Sequence, residues 1–397
     1  MQFIKEYTDY ASGLSSAPRK FHEMMAYVLL AQVISRRPIY HHSGPPIGPN
    51  LWVLVLAPSS TMAKSSALGV GRRILKETYF GELDHLLPIG GSSENFFERL
   101  EENPNGIIFN SEFNSLLNWF RLTYASDVMS LLIDCYDQPP EIYKSVGTKH
   151  KNNQKKYYIK RPFINAYATS SYSLFNAAMN ETLLTGGFLA RWIVIREDSE
   201  DNFKPFTEKI DSFKEADLSN YLRELLKESP SIDFNYDDSA KKLYSQWFFD
   251  YLKPLIRKSS HPLIPSFCLR RNTDIHKIAM ILSCTRGGNG IINSQDSDQA
   301  ITLIQQSIVD TEYVLSERVA FSKDEQEQNK IMEIISTYQK SDEMGAPHWK
   351  ILKYSRFPAF QFDRVISTLI QANRIKFNEI PTAGRKAIFY SIQDEKD

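Results

Sequence analysis

Cysteine is scarce in this chain. The three residues, Cys135, Cys268 and Cys284, lie far apart with no Cys-x-x-Cys or Cys/His spacing, which argues against a disulfide framework and a zinc site and leaves reduced, buried thiols as the expectation. Net charge is absent as well: 47 basic residues balance 47 acidic ones, so bulk electrostatics points to no partner and only local charge can. Long apolar runs are missing. The longest, around Met24 to Ile34 and Leu51 to Leu56, are too short to cross a bilayer, and the first residues show no signal-peptide pattern, so no membrane partner and a cytoplasmic location are expected. No internal repeat or low-complexity tract is seen.

Glycine is missing from one place in particular. Leu51 to Leu56 read as a buried strand, Ala57-Pro58-Ser59-Ser60-Thr61-Met62-Ala63 as a loop of mostly small residues, and Lys64-Ser65-Ser66 as the start of a helix. A strand that delivers a loop of backbone N–H groups onto a helix N-terminus makes an anion cradle, and a Lys-Ser pair adds a cation and a hydroxyl suited to Mg²⁺. The pattern G-x-x-x-x-G-K-[ST] puts Pro58 and Ala63 at its glycine positions. Counted from Ala57, the opening Ala57-Pro58-Ser59 is one residue longer than usual. Small side chains allow close approach to a phosphate, but a Cβ disfavours the positive φ angles such loops use. A serine-capped helix after a buried strand is the other reading. On the first reading Ser59, Ser60, Thr61, Ala63, Lys64, Ser65 and Ser66 hold the phosphates of a nucleotide such as ATP, with Ser65 on Mg²⁺.

Hydrophobic patterning predicts an α/β class with four regions: a helical region at 1–45, an α/β core at 46–200, a helical lid-like region at 201–322 and a separate unit at 327–397. In the core, strands are expected at 51–56, 106–110, 163–169 and 191–196 with helices between them. The last unit reads as three helices and two strands, a winged-helix order. Its third helix offers Arg364 to DNA, and its wing tip offers Arg385 and Lys386. A winged helix used for protein contacts is equally open.

Several segments would complete an NTPase. Asn110-Ser111-Glu112 follows a strand where an acidic pair would hold Mg²⁺ and activate water; Glu112 keeps the catalytic carboxylate, while Ser111 replaces the metal-holding acid. Thr169 ends another strand, placed to sense a γ-phosphate or to cap the following helix. Arg191 sits between Gly186-Gly187 and a strand, as an arginine finger acting on a neighbouring subunit would, or as an ion-pair partner. Residues 144–161 contain no carboxylate. A turn at Gly147 to Asn153 would make this segment a hairpin carrying Lys149, His150, Lys151, Lys155 and Lys156 towards nucleic-acid phosphates, with tyrosines to stack on bases; a solvated basic loop is the alternative.

Taken in order, these motifs resemble a family of P-loop ATPases of phages and mobile elements, primase-helicase-like proteins. The resemblance runs over residues 10–320, from Ala17-Pro18 through Pro49-Asn50-Leu51-Trp52-Val53, Lys64-Ser65, Asn110-Ser111-Glu112-Phe113 and Gly187-Phe188-Leu189-Ala190-Arg191 to the stretch from Leu269 to Met280. It implies a P-loop NTPase core of RecA/AAA+ type and an ATP- and Mg²⁺-dependent DNA helicase or translocase. It also implies work as a homo-oligomer, such as a hexameric ring, in replication of such an element. Glu112 and Arg191 would be catalytic, and Lys149-His150 resembles the hairpin tip with which some viral and MCM-like helicases grip DNA. A nonhydrolytic DNA-binding initiator or adaptor keeping a degenerate P-loop is the alternative. No priming activity is expected from this chain.

Overall fold

The computed structural model describes residues 2–35, 38–40, 46–58, 62–82, 84–147, 154–199, 203–227, 232–259, 263–318, 323–339, 345–380 and 387–393. They fall into two compact units, Met1–Arg318 and Val319–Asp397. The regions expected at 1–45, 46–200 and 201–322 therefore make one body, because each buries side chains in the same core.

Helix α1 (Gln2–Leu14) buries Phe3, Ile4, Tyr7, Tyr10 and Ala11, the spacing of a single helix face. Helix α2 (Arg19–Ile34) is buried almost all round from Phe21 to Ile34, as befits a helix with neighbours on every side. After the short strand β1 (Pro38–Tyr40), strand β2 (Trp52–Leu56) is buried at every position, the mark of a strand covered on both faces. Helix α3 (Lys64–Thr78) follows it, then α4 (Ser93–Glu102), whose N-terminus is capped by the Ser92 hydroxyl accepting from the Asn95 N–H. Next come β3 (Asn105–Asn110), α5 (Phe113–Phe120), α6 (Ser126–Tyr136) and an antiparallel hairpin of β4 (Glu141–Gly147) and β5 (Gln154–Lys160). Strand β6 (Phe163–Ser170), the short helices α7 (Tyr172–Ala178) and α8 (Glu181–Thr185), and strand β7 (Ile193–Arg196) complete the segment.

Four of these strands form a parallel sheet in the order β3-β6-β2-β7, and a single parallel bridge from Leu86 to Ile107 extends it beyond β3. Helices cover both faces. Tyr167 of β6 donates its hydroxyl to Phe21 O of α2, whereas Trp52 of β2, in the alternate pleat, packs on Tyr136 of α6. Buried amides lock the N-terminal edge: Asn165 Oδ1 accepts from the Leu51 N–H, its Nδ2 donates to Gln32, and Gln32 donates to Asn105.

Helix α9 (Ser212–Lys227) packs on α2 and α3. Then follow β8 (Ile232–Tyr236), α10 (Asp238–Trp247), α11 (Lys253–Lys258), α12 (Ile264–Thr285), β9 (Ile291–Ile292) and α13 (Ser294–Tyr313). Strands β1, β8 and β9 make a small parallel sheet whose members are too short for their alternation to be read in sequence. Helix α13 lies against β7, and its buried Asp310 accepts the Arg196 N–H at 3.0 Å.

The second unit has α14 (Lys323–Gln339), β10 (Ala346–Pro347), α15 (His348–Ser355), α16 (Ala359–Gln371), β11 (Ile375–Ile380) and β12 (Ala387–Ile392). Its three strands are antiparallel in the order β10-β12-β11, over a core that includes Ile331, Ile351, Phe362, Leu369 and Tyr390.

Candidate functional site

Because the strands of the main sheet are parallel, the loops after β2, β3 and β6 emerge along one edge, where ligands of open α/β sheets bind. On the β2 side, Ala63 caps α3 in the left-handed region, with φ 40° and ψ 35°. This is the conformation for which the glycine pattern selects, adopted here by an alanine at a cost of about 1–2 kcal/mol. Lys64 then opens the helix, and its Nζ curls back to donate to Pro58 O at 2.6 Å and Ala57 O at 3.4 Å. Burial pushes the Lys64 pKa down. Ser65 and Ser66 are exposed on the first turn, while Ser59, Ser60 and Thr61 lie outside the described residues.

Beyond β3, Asn110 organises the turn. Its Oδ1 accepts the Glu112 N–H at 2.8 Å and its Nδ2 donates to Ser115 Oγ at 3.2 Å. Glu112 is exposed at the start of α5, and its carboxylate has no partner among the described residues. Strand β6 separates β2 from β3, so the two loops stand about 10 Å apart by strand spacing. Thr169 lies between them, buried, with its hydroxyl donating to Ser111 O at 2.7 Å. That bond ties the ends of β6 and β3 together and engages the proton a phosphate sensor would offer.

Arg191 is not placed as a finger. It ends the turn Leu189–Arg191 before β7, at the N-terminal edge of the sheet and so opposite Lys64. Only 5% of the residue is exposed; Nη1 donates to Gly187 O at 2.9 Å and Nη2 pairs with Asp137 Oδ2 at 2.6 Å. A finger must present its guanidinium to another molecule. This one is committed to holding the glycine turn against the end of α6.

Sequence reasoning passed over Arg196, which lies beside Leu56 at the same edge as Lys64. Its guanidinium pairs with Asp198 and stacks 3.6 Å from the centroid of the Tyr313 ring. The only signal was the charged run Arg196-Glu197-Asp198 closing an apolar strand. A cavity of about 820 Å³ adjoins β7, between α1, α2 and α13, with Thr8, Glu23, Tyr27, Ile195 and Gln306 among its lining residues. Burial raises the Glu23 pKa.

The hairpin has two unlike faces. Ile142, Tyr157 and Ile159 point inwards, with Tyr157 edge-on to Phe97 of α4. On the other face Tyr143 and Tyr158 stack with centroids 4.5 Å apart, flanked by Lys156 and by Lys160 over the Tyr158 ring. Lys155 belongs to the inward register and pairs with Glu98. Lys149, His150 and Lys151 lie outside the described residues, as do Arg385 and Lys386 in the second unit. There Arg364 of α16 pairs with Asp324 at 3.0 Å and Glu327 at 2.5 Å of α14 while its side chain stays 55% exposed, and Asp363, Ser367 and Gln371 are exposed beside it.

No family model and no curated protein matches this chain. The likeness to phage and mobile-element ATPases is thus carried by motif order alone. Among the described residues no helix is long and apolar enough to cross a membrane, and no group of three or more histidine, cysteine or acidic side chains is gathered for a metal ion.

Proposed function

We propose that the first unit is a DNA-dependent ATPase, a helicase or translocase that works as an oligomer such as a hexameric ring, in replication of a phage or mobile element. The observation that carries this reading is the geometry of Lys64, set at the first position of the helix after a buried central strand and curled onto the carbonyls of its own loop. A bound triphosphate would draw that ammonium away from Ala57 and Pro58, while the first-turn N–H groups and the left-handed cap at Ala63 supply a cradle for its oxygens. Ser65 is exposed at the place where its hydroxyl would join Mg²⁺, which would neutralise charge on the β- and γ-phosphates. Glu112, unpartnered across the intervening strand, would polarise the attacking water. The stacked tyrosines of the hairpin and their lysines suit single-stranded DNA, and the helix order and antiparallel sheet of the second unit suit a winged helix.

One observation favours a nonhydrolytic DNA-binding initiator or adaptor as the second reading. The acid that would help to hold the metal is absent: Ser111 takes its place, and the amide of the adjacent Asn110 is already spent on Glu112 and Ser115. ATP binding and turnover, measured with and without single-stranded and duplex DNA, separate the two. The ATPase reading expects DNA-stimulated turnover that Lys64→Ala and Glu112→Gln each reduce at least a hundredfold, with nucleotide binding kept in Glu112→Gln. Binding of DNA without turnover in the folded wild type would support the second reading, and no DNA binding at low salt would sink both.

A further inference from the structure

At the sheet edge opposite Lys64, the residues before β2, the end of α6 and the middle of α12 enclose a cavity of about 300 Å³. Lys277 lines it and is 2% exposed. Its ammonium donates to Asn50 Oδ1 at 2.7 Å and lies 3.7 Å from the centroid of the Tyr136 ring. Among the described residues it forms no ion pair. The acids nearby are already matched: Asp137 takes Arg191 and Arg270, and Asp274 takes Arg271 at 3.2 Å and the Tyr136 hydroxyl at 2.9 Å. Two carboxylates thus answer three guanidiniums and leave the ammonium over.

A buried cation with one amide acceptor and a ring face is costly, and in isolation it sheds its proton; burial does push the Lys277 pKa down, to about 7. Two further donors line the same cavity, beside the Asp137 carboxylate already held by Arg191 and Arg270. Arg270 lies at the mouth, its side chain 37% exposed, and Gln138 lines the wall with its Nε2 buried and without a partner among the described residues. Gln138 is held there by a left-handed backbone, φ 50°, with its amide against Gly48, where any Cβ would collide with it.

We infer that this cavity is a binding site for a small oxyanion, a carboxylate or a phosphate monoester, whose oxygens accept from Lys277, Gln138 and Arg270. The charge count calls for an anion, since one would complete the shell of the ammonium and balance the surplus positive charge. The volume sets the size, at the lower limit of cavities that hold small molecules. This site lies across the sheet from the proposed nucleotide loop, and the inference does not depend on that reading.

Calorimetric titration of the full chain with inorganic phosphate and with succinate tests it, using wild type, Lys64→Ala, Lys277→Met and Arg270→Gln. Saturable binding of at least one anion is expected, unchanged in Lys64→Ala, weakened at least tenfold in Lys277→Met and several-fold in Arg270→Gln. Lys277→Met keeps the apolar stem and removes a buried charge, and Arg270→Gln alters a half-open position, so at least one variant remains folded for comparison. The inference is overturned if neither anion binds the wild type saturably, if affinity is equal in both cavity variants and wild type, or if Lys64→Ala abolishes binding.

Discussion

Arg191 and Asp137, 54 residues apart in sequence, meet at 2.6 Å on the edge of the sheet that lies away from Lys64. A residue type and spacing suited to an arginine finger thus serve as a clamp between the glycine turn before β7 and the C-terminus of α6. The consequence is measurable. Arg191→Ala should lower unfolding free energy by roughly 1–3 kcal/mol, towards the low end because Arg270 still answers Asp137. Arg191→Lys should recover only part, since an ammonium cannot reproduce the fork that reaches both Gly187 and Asp137. Urea unfolding gives the answer; an unmoved midpoint combined with lost ATP turnover would restore the finger.

Ala63 holds a left-handed backbone that glycine adopts freely. Ala63→Gly should therefore raise stability by about 0.5–1 kcal/mol after allowing for the greater freedom of glycine in the unfolded chain. If the loop holds a nucleotide as proposed, affinity should rise with it, as the cradle conformation that Ala63 already adopts no longer carries the strain of a Cβ. A fall in both the urea midpoint and nucleotide affinity would contradict the relief of strain.

Three buried bases give stability a definite pH profile. Burial lowers the pKa of His22 and His85 from 6.5 to about 4, so the stability they contribute is present above pH 6.5 and is lost as pH falls towards 4. Lys277 is lowered from 10.5 to about 7; between those values the unfolded chain binds the extra proton, so unfolding free energy rises with pH over this window. Each limb is on the order of a few kcal/mol. Chemical denaturation from pH 4 to 8.5, below the range where the cysteines and tyrosines of the unfolded chain ionise, should show both limbs, and Lys277→Met should flatten only the alkaline one.

If the chain binds DNA as proposed, the outward hairpin face should make a separable contribution. Tyr143→Ala with Tyr158→Ala should weaken single-stranded DNA binding by tenfold or more, on the scale of about 1–3 kcal/mol per stacked base, with little change in melting temperature. Lys156→Ala should lower the salt dependence of binding by about one unit of slope. Fluorescence anisotropy at several salt concentrations reads both, and DNA affinity that ignores the tyrosines would move the contact elsewhere.

Much of the architecture was legible because it is written at short range. Apolar runs at 51–56 and 163–169 correspond to β2 and β6, and the carboxylate-free stretch 144–161 overlaps the antiparallel pair β4–β5, while its expected turn lies outside the described residues. Strands β1, β8 and β9 escaped notice, because two to five residues give too few repeats of a period-two pattern. The lid-like helices were legible as helices but not as part of the core: the acids Asp274 and Asp310 look like solvent-facing charges until folding brings them the Tyr136 hydroxyl and the Arg196 N–H.

By itself, the sequence determined the longer helices and the central strands and which residue types stand at their junctions, because helix periods, strand runs and turn residues act over a few neighbours. It thereby supplied Lys64 after a strand and Glu112 after another. Tertiary structure alone decided their common edge, the strand between them, the withdrawal of Arg191 into a buried ion pair, the pairing of Arg364 with Glu327, and the burial of Lys277 over Tyr136. Those outcomes depend on strand order and on partners tens to hundreds of residues away. A charged side chain becomes a site or a clamp according to the dielectric and the counter-charge that folding places around it.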